Sequence, residues 1–181
     1  LGDVYKRQHL LGLDMILLGL AIMTLFLSTT VNKIDNKGRV SIPAPFRAGL
    51  TGQSFFGIVA FPSYQFSAID ACGIDRMEAL SKSIDQIENP DEIELAGLSF
   101  AEAVQLGIDD DGRIVLPKKL ASHAQITSNI LFVGKGPTFQ MWNPENYDQH
   151  KKAILKEAEN KKLRVRLRPI PSGSDGYKDK E

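Results

Sequence analysis

Alternating apolar and polar residues around a glycine turn occur twice along the chain. The stretch Ile34–Pro43 reads IDNKGRVSIP, and the stretch Ile108–Pro117, 74 positions later, reads IDDDGRIVLP. Alternation is typical of strands, and the central glycine predicts a hairpin between them. The strands that enter and leave the two turns are predicted at residues 29–34, 39–42, 103–108 and 113–116.

The residues of each turn fit a three-residue hairpin loop. The loops at 36–38 (NKG) and 110–112 (DDG) both end in glycine, where such a loop needs a positive φ. Asp35 and Asp109 precede the loops, and their carboxylates can accept hydrogen bonds from turn amides. The turn chemistry therefore supports two matching hairpins.

Each hairpin ends at a proline that is followed by a short helical pattern. Pro43 and Pro117 cannot continue the hydrogen-bond ladder of a strand. The sequences APFRAGL and KKLASHA then predict one or two helical turns, with Phe46 and Leu120 facing the core.

The similarity of the two copies continues past the hairpins. FGIV at Phe56–Val59 precedes Phe66, and ILFV at Ile130–Val133 precedes Phe139, with one residue gained or lost between the copies. The repeated unit is thus a whole subdomain. Because half a barrel leaves an open sheet edge, we expect the copies to pair about a pseudo-twofold axis in a mainly β fold with short helices (α+β).

The segments outside the repeats are more polar. Helical spacing of apolar residues predicts an acidic helix at Ile74–Ile87 that Asn89-Pro90 ends, and Pro144–Asn160 predicts a charged C-terminal helix. We divide the chain into a first repeat at 29–76, an acidic helical bridge at 77–102, a second repeat at 103–146, a charged helix with a basic segment at 147–168 and a disordered tail at 169–181.

The beginning of the chain is apolar. Leu10–Leu27 approaches the roughly 20 apolar residues that span a bilayer, although Asp14 interrupts it. The sequence DVYKRQ at Asp3–Gln8 looks like translated adapter DNA from a sequencing library, and Met23 opens a natural start. We therefore predict that residues 1–22 are a read-through extension. The alternative is a signal anchor on a membrane-bound protein.

Composition excludes little on its own. The 181 residues carry a formal net charge of zero, and nucleic-acid recognition depends on where charge lies. Cys72 is the only cysteine, which excludes an intrachain disulfide, and neither it nor the three histidines have metal-ligand spacing. We expect Cys72 to be a small buried residue, and no cofactor and no small-molecule substrate. The aromatic residues predicted in the core are Phe55, Phe56, Phe61, Phe66, Phe132, Phe139 and Trp142.

Charge differs between the two hairpins. Around the first, Asp35 is outnumbered by Lys33, Lys37, Arg39 and Arg47; around the second, three aspartates at 109–111 are only matched by Arg113, Lys118 and Lys119. A two-stranded ribbon fits the major groove, where arginine can bond guanine and other basic side chains can contact phosphates. The alternative is that the Asp and Arg residues only stabilise the turns. The basic residues after Asn160 are either a second phosphate-binding arm or a solvated tail.

The paired Asp-x-x-x-Arg turns, Asp35–Arg39 and Asp109–Arg113, resemble those of the MraZ proteins of the SpoVT/AbrB superfamily. The resemblance runs from Met23 to about Asn160 and includes KIDNKGRVSIPAPFR, QLGIDDDGRIVLPKKL and LFVGKGPTFQMW. It implies two tandem swapped-hairpin β-barrel halves of the AbrB type and a ring-like homo-oligomer. It also implies a cytoplasmic, nucleoid-associated repressor that binds tandem repeats in double-stranded promoter DNA and controls cell-division and cell-wall genes.

The resemblance also implies DNA-contact residues. Asp35, Arg39, Asp109 and Arg113 match the family motif position for position, whereas Lys37 stands where the second copy has an aspartate. We therefore include Lys37 as a contact and expect the two copies to bind DNA unequally. Two other classes stay open, namely an oligomeric scaffold whose hairpins make only subunit contacts and an enzyme on a related barrel. The sequence offers no acid, base or nucleophile constellation for the latter.

Overall fold

A six-stranded antiparallel sheet and a two-stranded ribbon share one main hydrophobic core. The computed structural model describes residues 25–164. Its strands are β1 (Thr29–Lys33), β2 (Arg39–Ser41), β3 (Gly57–Pro62), β4 (Ala68–Cys72), β5 (Val104–Gly107), β6 (Arg113–Val115), β7 (Asn129–Gly134) and β8 (Phe139–Trp142). The large sheet has the order β1-β7-β8-β4-β3-β5, and β2 pairs with β6 in the ribbon.

Within residues 25–164, five helices connect or follow these strands. They are α1 (Ala44–Gly49), α2 (Ile74–Ser83), α3 (Pro90–Glu102), α4 (Lys118–His123) and α5 (Pro144–Asn160), with a 3-10 turn at Ile84–Gln86. Helices α1 and α4 directly follow the two hairpins, as the sequence predicts. The mainly β, α+β prediction is confirmed.

The two repeats exchange their hairpins. Strand β1 of the first repeat pairs with β7 of the second, and β5 of the second pairs with β3 of the first. Equivalent strands pair in β2–β6 and in β4–β8. At the centre of the ribbon Val40 lies opposite Ile114, which is the matching position of the other repeat. The order of the large sheet is unchanged when the repeats are interchanged, so the swapped, pseudo-twofold arrangement is confirmed.

The strand register corrects the sequence alignment beyond the hairpins. Val31 pairs with Leu131, and Gln105, which matches Val31 in the second repeat, pairs with Val59. Val59 and Leu131 are therefore equivalent and lie 72 positions apart, whereas the sequence alignment matches Val59 with Val133. A shift of two residues leaves every side chain on the same face of a strand, so the apolar pattern could not reveal it.

Aromatic rings fill the centre of the core. Phe26, Phe46 and Phe139 are each about 1% exposed or less, and their ring centroids lie 4.8–5.3 Å apart. The predicted burial of Phe46 is confirmed, as is that of Leu120 and Cys72.

Two aromatic residues lie where the sequence did not predict them. The prediction that Phe56 lies in the core is wrong, because this residue, just before β3, is 51% exposed. Phe26 was not among the aromatic residues predicted in the core, but its ring is buried there. Its amide donates to the Gly136 carbonyl at 2.7 Å, and its carbonyl accepts from the Gly136 amide at 3.1 Å. The last part of the apolar N-terminal stretch thus belongs to the fold.

The acidic bridge predicted at 77–102 contains most of one helix, α2, and the whole of a second, α3. Helix α2 ends at Ser83, before the predicted Ile87. Asn89 then begins α3 as its N-cap, because its side chain accepts a 3.0 Å hydrogen bond from the amide of Asp91 and Pro90 occupies the first helical turn. The Asn-Pro pair, which predicts the end of one helix, also begins the next helix.

The C-terminal helix has the predicted bounds. Asn143 caps its N-terminus by accepting hydrogen bonds from the amides of Glu145 and Asn146, at 2.9 and 3.3 Å. The larger compact unit ends at Tyr147, and the remainder of α5 belongs to a second unit. No helix within residues 25–164 is long and apolar enough to cross a membrane. The predicted extension at 1–22, the tail at 169–181 and the end of the basic segment lie outside the described residues.

Candidate nucleic-acid interface

The two hairpin turns have the same backbone geometry. In the first, Asp35 and Arg39 are joined by a 3.0 Å backbone bond and Gly38 donates to the Asp35 carbonyl at 2.9 Å. The second repeats these bonds between Asp109, Arg113 and Gly112 at 2.9 and 2.8 Å. Gly38 and Gly112 have φ values of +78° and +74°, so the predicted positive-φ turns are confirmed.

The leading aspartate of each turn holds the loop through its carboxylate. Asp35 Oδ1 accepts 2.9 Å bonds from the amides of Lys37 and Arg39. Asp109 Oδ1 accepts equivalent bonds of 3.0 and 2.8 Å. The backbone hydrogen bond from the turn arginine is the main cause that lowers the pKa of each carboxyl below its ordinary value.

The two turn arginines differ in how strongly carboxylates hold them. Arg39 donates from Nε and Nη2 to Asp35 Oδ2, both at 2.8 Å. Arg113 donates from Nε to Asp109 at 3.3 Å and from Nη2 to Asp111. The guanidinium of Arg113 is therefore shared by two carboxylates, and that of Arg39 contacts one. Both side chains also stabilise their turns.

The ribbon places both arginines on one outward face. Arg39 lies opposite Val115, and Arg113 lies opposite Ser41, while the intervening Val40 and its partner point into the core. Diagonal neighbours on one face of a strand pair are about 7–8 Å apart. The outer face thus presents two arginines between two turns, and we call it the ribbon face.

Each turn is tied to the other repeat. Leu116 donates from its amide to the Gly38 carbonyl at 2.8 Å, and Ile42 donates to the Gly112 carbonyl at 3.0 Å. The two turns are therefore held in a fixed relation to each other. These bonds join residues far apart in sequence, and no local pattern predicts them.

Arg47 does not contribute to the positive charge around the first turn. It lies on α1, half-buried, and its Nη1 is 3.3 Å from the Ile42 carbonyl and 3.5 Å from the Gly112 carbonyl. The swap of the hairpins brings α1 beside the second turn, so the predicted grouping of Arg47 with Lys33 and Lys37 is wrong.

The remaining basic residues keep the first hairpin the more basic one. Lys33 and Lys37 are exposed beside the first turn. Lys119, on the helix that follows the second hairpin, donates to Glu102 at 2.8 Å, so part of its charge is compensated. The predicted site residues Asp35, Lys37 and Arg39 come together in one turn, and Asp109 and Arg113 come together in the other.

Other reactive groups are poor candidates for chemistry. Burial raises the pKa of the Cys72 thiol to about 12, so almost no thiolate forms at neutral pH. Within residues 25–164, no group of three or more His, Cys, Asp or Glu side chains is arranged to hold a metal ion.

Comparison with known proteins points to the same family as the two hairpin motifs. A protein of Rickettsia akari (strain Hartford), named transcriptional regulator MraZ, is 42% identical over 148 residues, which cover 80% of this chain and 98% of the relative. The protein of the same name from Rickettsia bellii (strain OSU 85-389) is 42% identical over 149 residues with the same coverage. A family model described as "MraZ protein, putative antitoxin-like" matches residues 99–168. The chain therefore belongs to the MraZ family of transcriptional regulators, a class without enzymatic activity.

Proposed function

We propose that the protein regulates transcription by binding double-stranded promoter DNA with the ribbon face and its two turns. The observation that carries this proposal is the pairing of β2 with β6, which presents Arg39 and Arg113 side by side on an outward face. A two-stranded ribbon has the width to enter the major groove, where arginine recognises guanine through two hydrogen bonds.

The residues of the first turn have distinct roles in this proposal. Asp35 holds Nε and Nη2 of Arg39, which orients the guanidinium. Fixing the side chain before binding reduces the entropy lost on contact with a base. Exposed Lys37 contacts phosphate, which adds affinity without sequence preference.

The second turn contributes less to affinity. Asp109 positions Arg113 as Asp35 positions Arg39, but Asp111 takes a further nitrogen of Arg113 and repels phosphate. DNA would have to displace that carboxylate before Arg113 could bond a base. The two turns therefore act as a stronger and a weaker half-site.

The location, oligomeric state and target genes of the protein are inferred from its resemblance to the family. We place the protein in the cytoplasm, on the nucleoid, as a ring-like homo-oligomer that represses cell-division and cell-wall genes. One chain has one ribbon face, so binding to tandem repeats gains affinity when linked subunits engage neighbouring sites.

A binding titration tests the proposal. Labelled duplex from upstream of the protein's own gene is titrated at about 150 mM salt, with a shuffled duplex of the same composition as control. The proposal expects tighter binding to the upstream duplex by about 10³-fold or more, and affinity that falls as salt rises. Equal, weak binding to both duplexes would favour a scaffold role instead.

A further inference from the structure

We propose that an acidic groove on α3 binds the basic face of α5 from a second copy of the protein. These two surfaces would form the contact between subunits of the homo-oligomer proposed above. The contact is tested without DNA, so its test does not depend on the DNA-binding role of the ribbon face.

Most residues that line the groove are apolar, and the groove is open in the described part of the chain. It encloses about 720 Å³ along α3 and the 3-10 turn before it. Leu95 and Leu98 on its wall are 48% and 46% exposed, and none of the α3 side chains is buried. Exposed apolar side chains that share one helix face are typical of an interaction surface.

The electric charge of the groove selects a basic partner. Asp91 and Glu94 line it beside the two leucines. The sequence has no lysine or arginine between Lys82 and Arg113, so no nearby basic residue on the same segment offsets these carboxylates. A phosphate-bearing ligand would be repelled, and a helix with lysines would be attracted.

Helix α5 has the complementary face. Lys151, Ile154, Leu155 and Ala158 are spaced i, i+3, i+4 and i+7, so they lie along one side of the helix. Ile154 and Leu155 are 51% and 59% exposed. Lys162 lies two residues beyond the end of the helix, where a φ of +50° shows that the chain has left the helical conformation. The face combines apolar side chains with positive charge near both ends.

The two faces match in spacing and oppose each other in charge. On α3, Asp91, Glu94, Leu95 and Leu98 follow the same i, i+3, i+4, i+7 spacing as the residues of the α5 face. An amphipathic helix that lays its apolar face into a groove is a common recognition mode. Because the two surfaces differ, each copy can bind one neighbour through α3 and another through α5. Such a head-to-tail contact builds closed rings or open chains.

Charge reversal on each face tests this contact. The groove variant carries Asp91→Lys with Glu94→Lys, and the helix variant carries Lys151→Glu with Lys162→Glu. Sedimentation velocity at micromolar concentration without DNA measures assembly of each variant alone and of their equimolar mixture. Each variant alone should assemble at least about tenfold more weakly than the wild type, because it faces like charge. The mixture should recover assembly, since each changed face then meets a face of opposite charge.

Matched controls change the same net charge elsewhere. Glu88→Lys with Glu92→Lys, and Lys152→Glu with Lys156→Glu, alter exposed residues outside the two proposed faces. These controls should assemble like the wild type, and melting curves of all variants should show cooperative unfolding. A monomeric wild type would overturn the proposal, and so would a mixture that assembles no better than its separate components. Loss of DNA binding with intact assembly would instead count against the ribbon face alone.

Discussion

The amide of Leu116 donates a 2.8 Å hydrogen bond to the carbonyl of Gly38 and joins the first turn to the strand of the second hairpin. Its counterpart, from Ile42 to Gly112, is 3.0 Å long. Neither turn is therefore shaped by its own repeat alone. A change in one hairpin should alter the position of the other, and this gives the glycines a role beyond their own turns.

Replacing Gly38 with alanine should cost more than backbone strain. A Cβ at Gly38 would lie 2.8 Å from the Leu116 carbonyl oxygen, in a backbone with φ near +78°. We expect the free energy of unfolding to fall by more than the roughly 1–2 kcal/mol that backbone strain alone costs, measured by urea denaturation. Gly52→Ala is the matched control, because its φ is +85° with nothing within 4 Å of the added Cβ. It should lose only about 1–2 kcal/mol of strain. A larger loss for the control would contradict the role of the Gly38 contact.

Local chemistry explains why the hairpins could be predicted from sequence. Asp35 and Gly38 lie within one five-residue turn, so the sequence of that turn alone predicts their roles. The place of Arg47 could not be predicted, because it depends on a strand swap that brings α1 beside the second turn. The pattern of residues in one sequence predicts local turns and which side chains share a face of a strand. It does not predict which strands pair with each other.

The same limit explains two smaller errors. The Asn89-Pro90 pair is compatible with the end of one helix and the start of the next, and only the observed bond to Asp91 distinguishes them. The exposure of Phe56 depends on where β3 begins, and apolar residues before Ile58 gave no sign of that boundary.

The turn carboxylates should make stability depend on acid pH. The pKa of Asp35 is lower in the folded protein than in the unfolded chain, so its contribution is complete above the unfolded value of about 3.9. It is lost as pH falls below that value and through the folded pKa. We expect Asp35→Asn to be less stable than the wild type at pH 6, with a difference that shrinks below about pH 4. Urea denaturation of both proteins at pH 6, 4 and 3 measures this. A difference that stays constant down to pH 3 would contradict the ionised-carboxylate role.

Making the second turn resemble the first should strengthen DNA binding. Asp111→Lys removes a carboxylate from Arg113 and introduces the lysine that the first turn has at Lys37. We expect higher affinity for upstream DNA and a salt dependence steeper by about one unit or more of slope. Asp110→Lys is the matched control, because it makes the same charge change without releasing Arg113. If Asp110→Lys improves binding as much as Asp111→Lys, release of Arg113 is not the cause.

Arg39→Ala, with melting temperature and DNA affinity measured on the same sample, tests the DNA-reading role of the ribbon face most directly. Arg39 pairs with Asp35, so some loss of stability is expected in either case. The DNA-contact account predicts a loss of about 1–3 kcal/mol per bound site and weaker preference at one base pair. Arg113→Ala, the matching position of the other repeat, should lose less affinity, because two carboxylates hold that side chain. Unchanged affinity of folded Arg39→Ala protein, together with a lower melting temperature, would contradict the account.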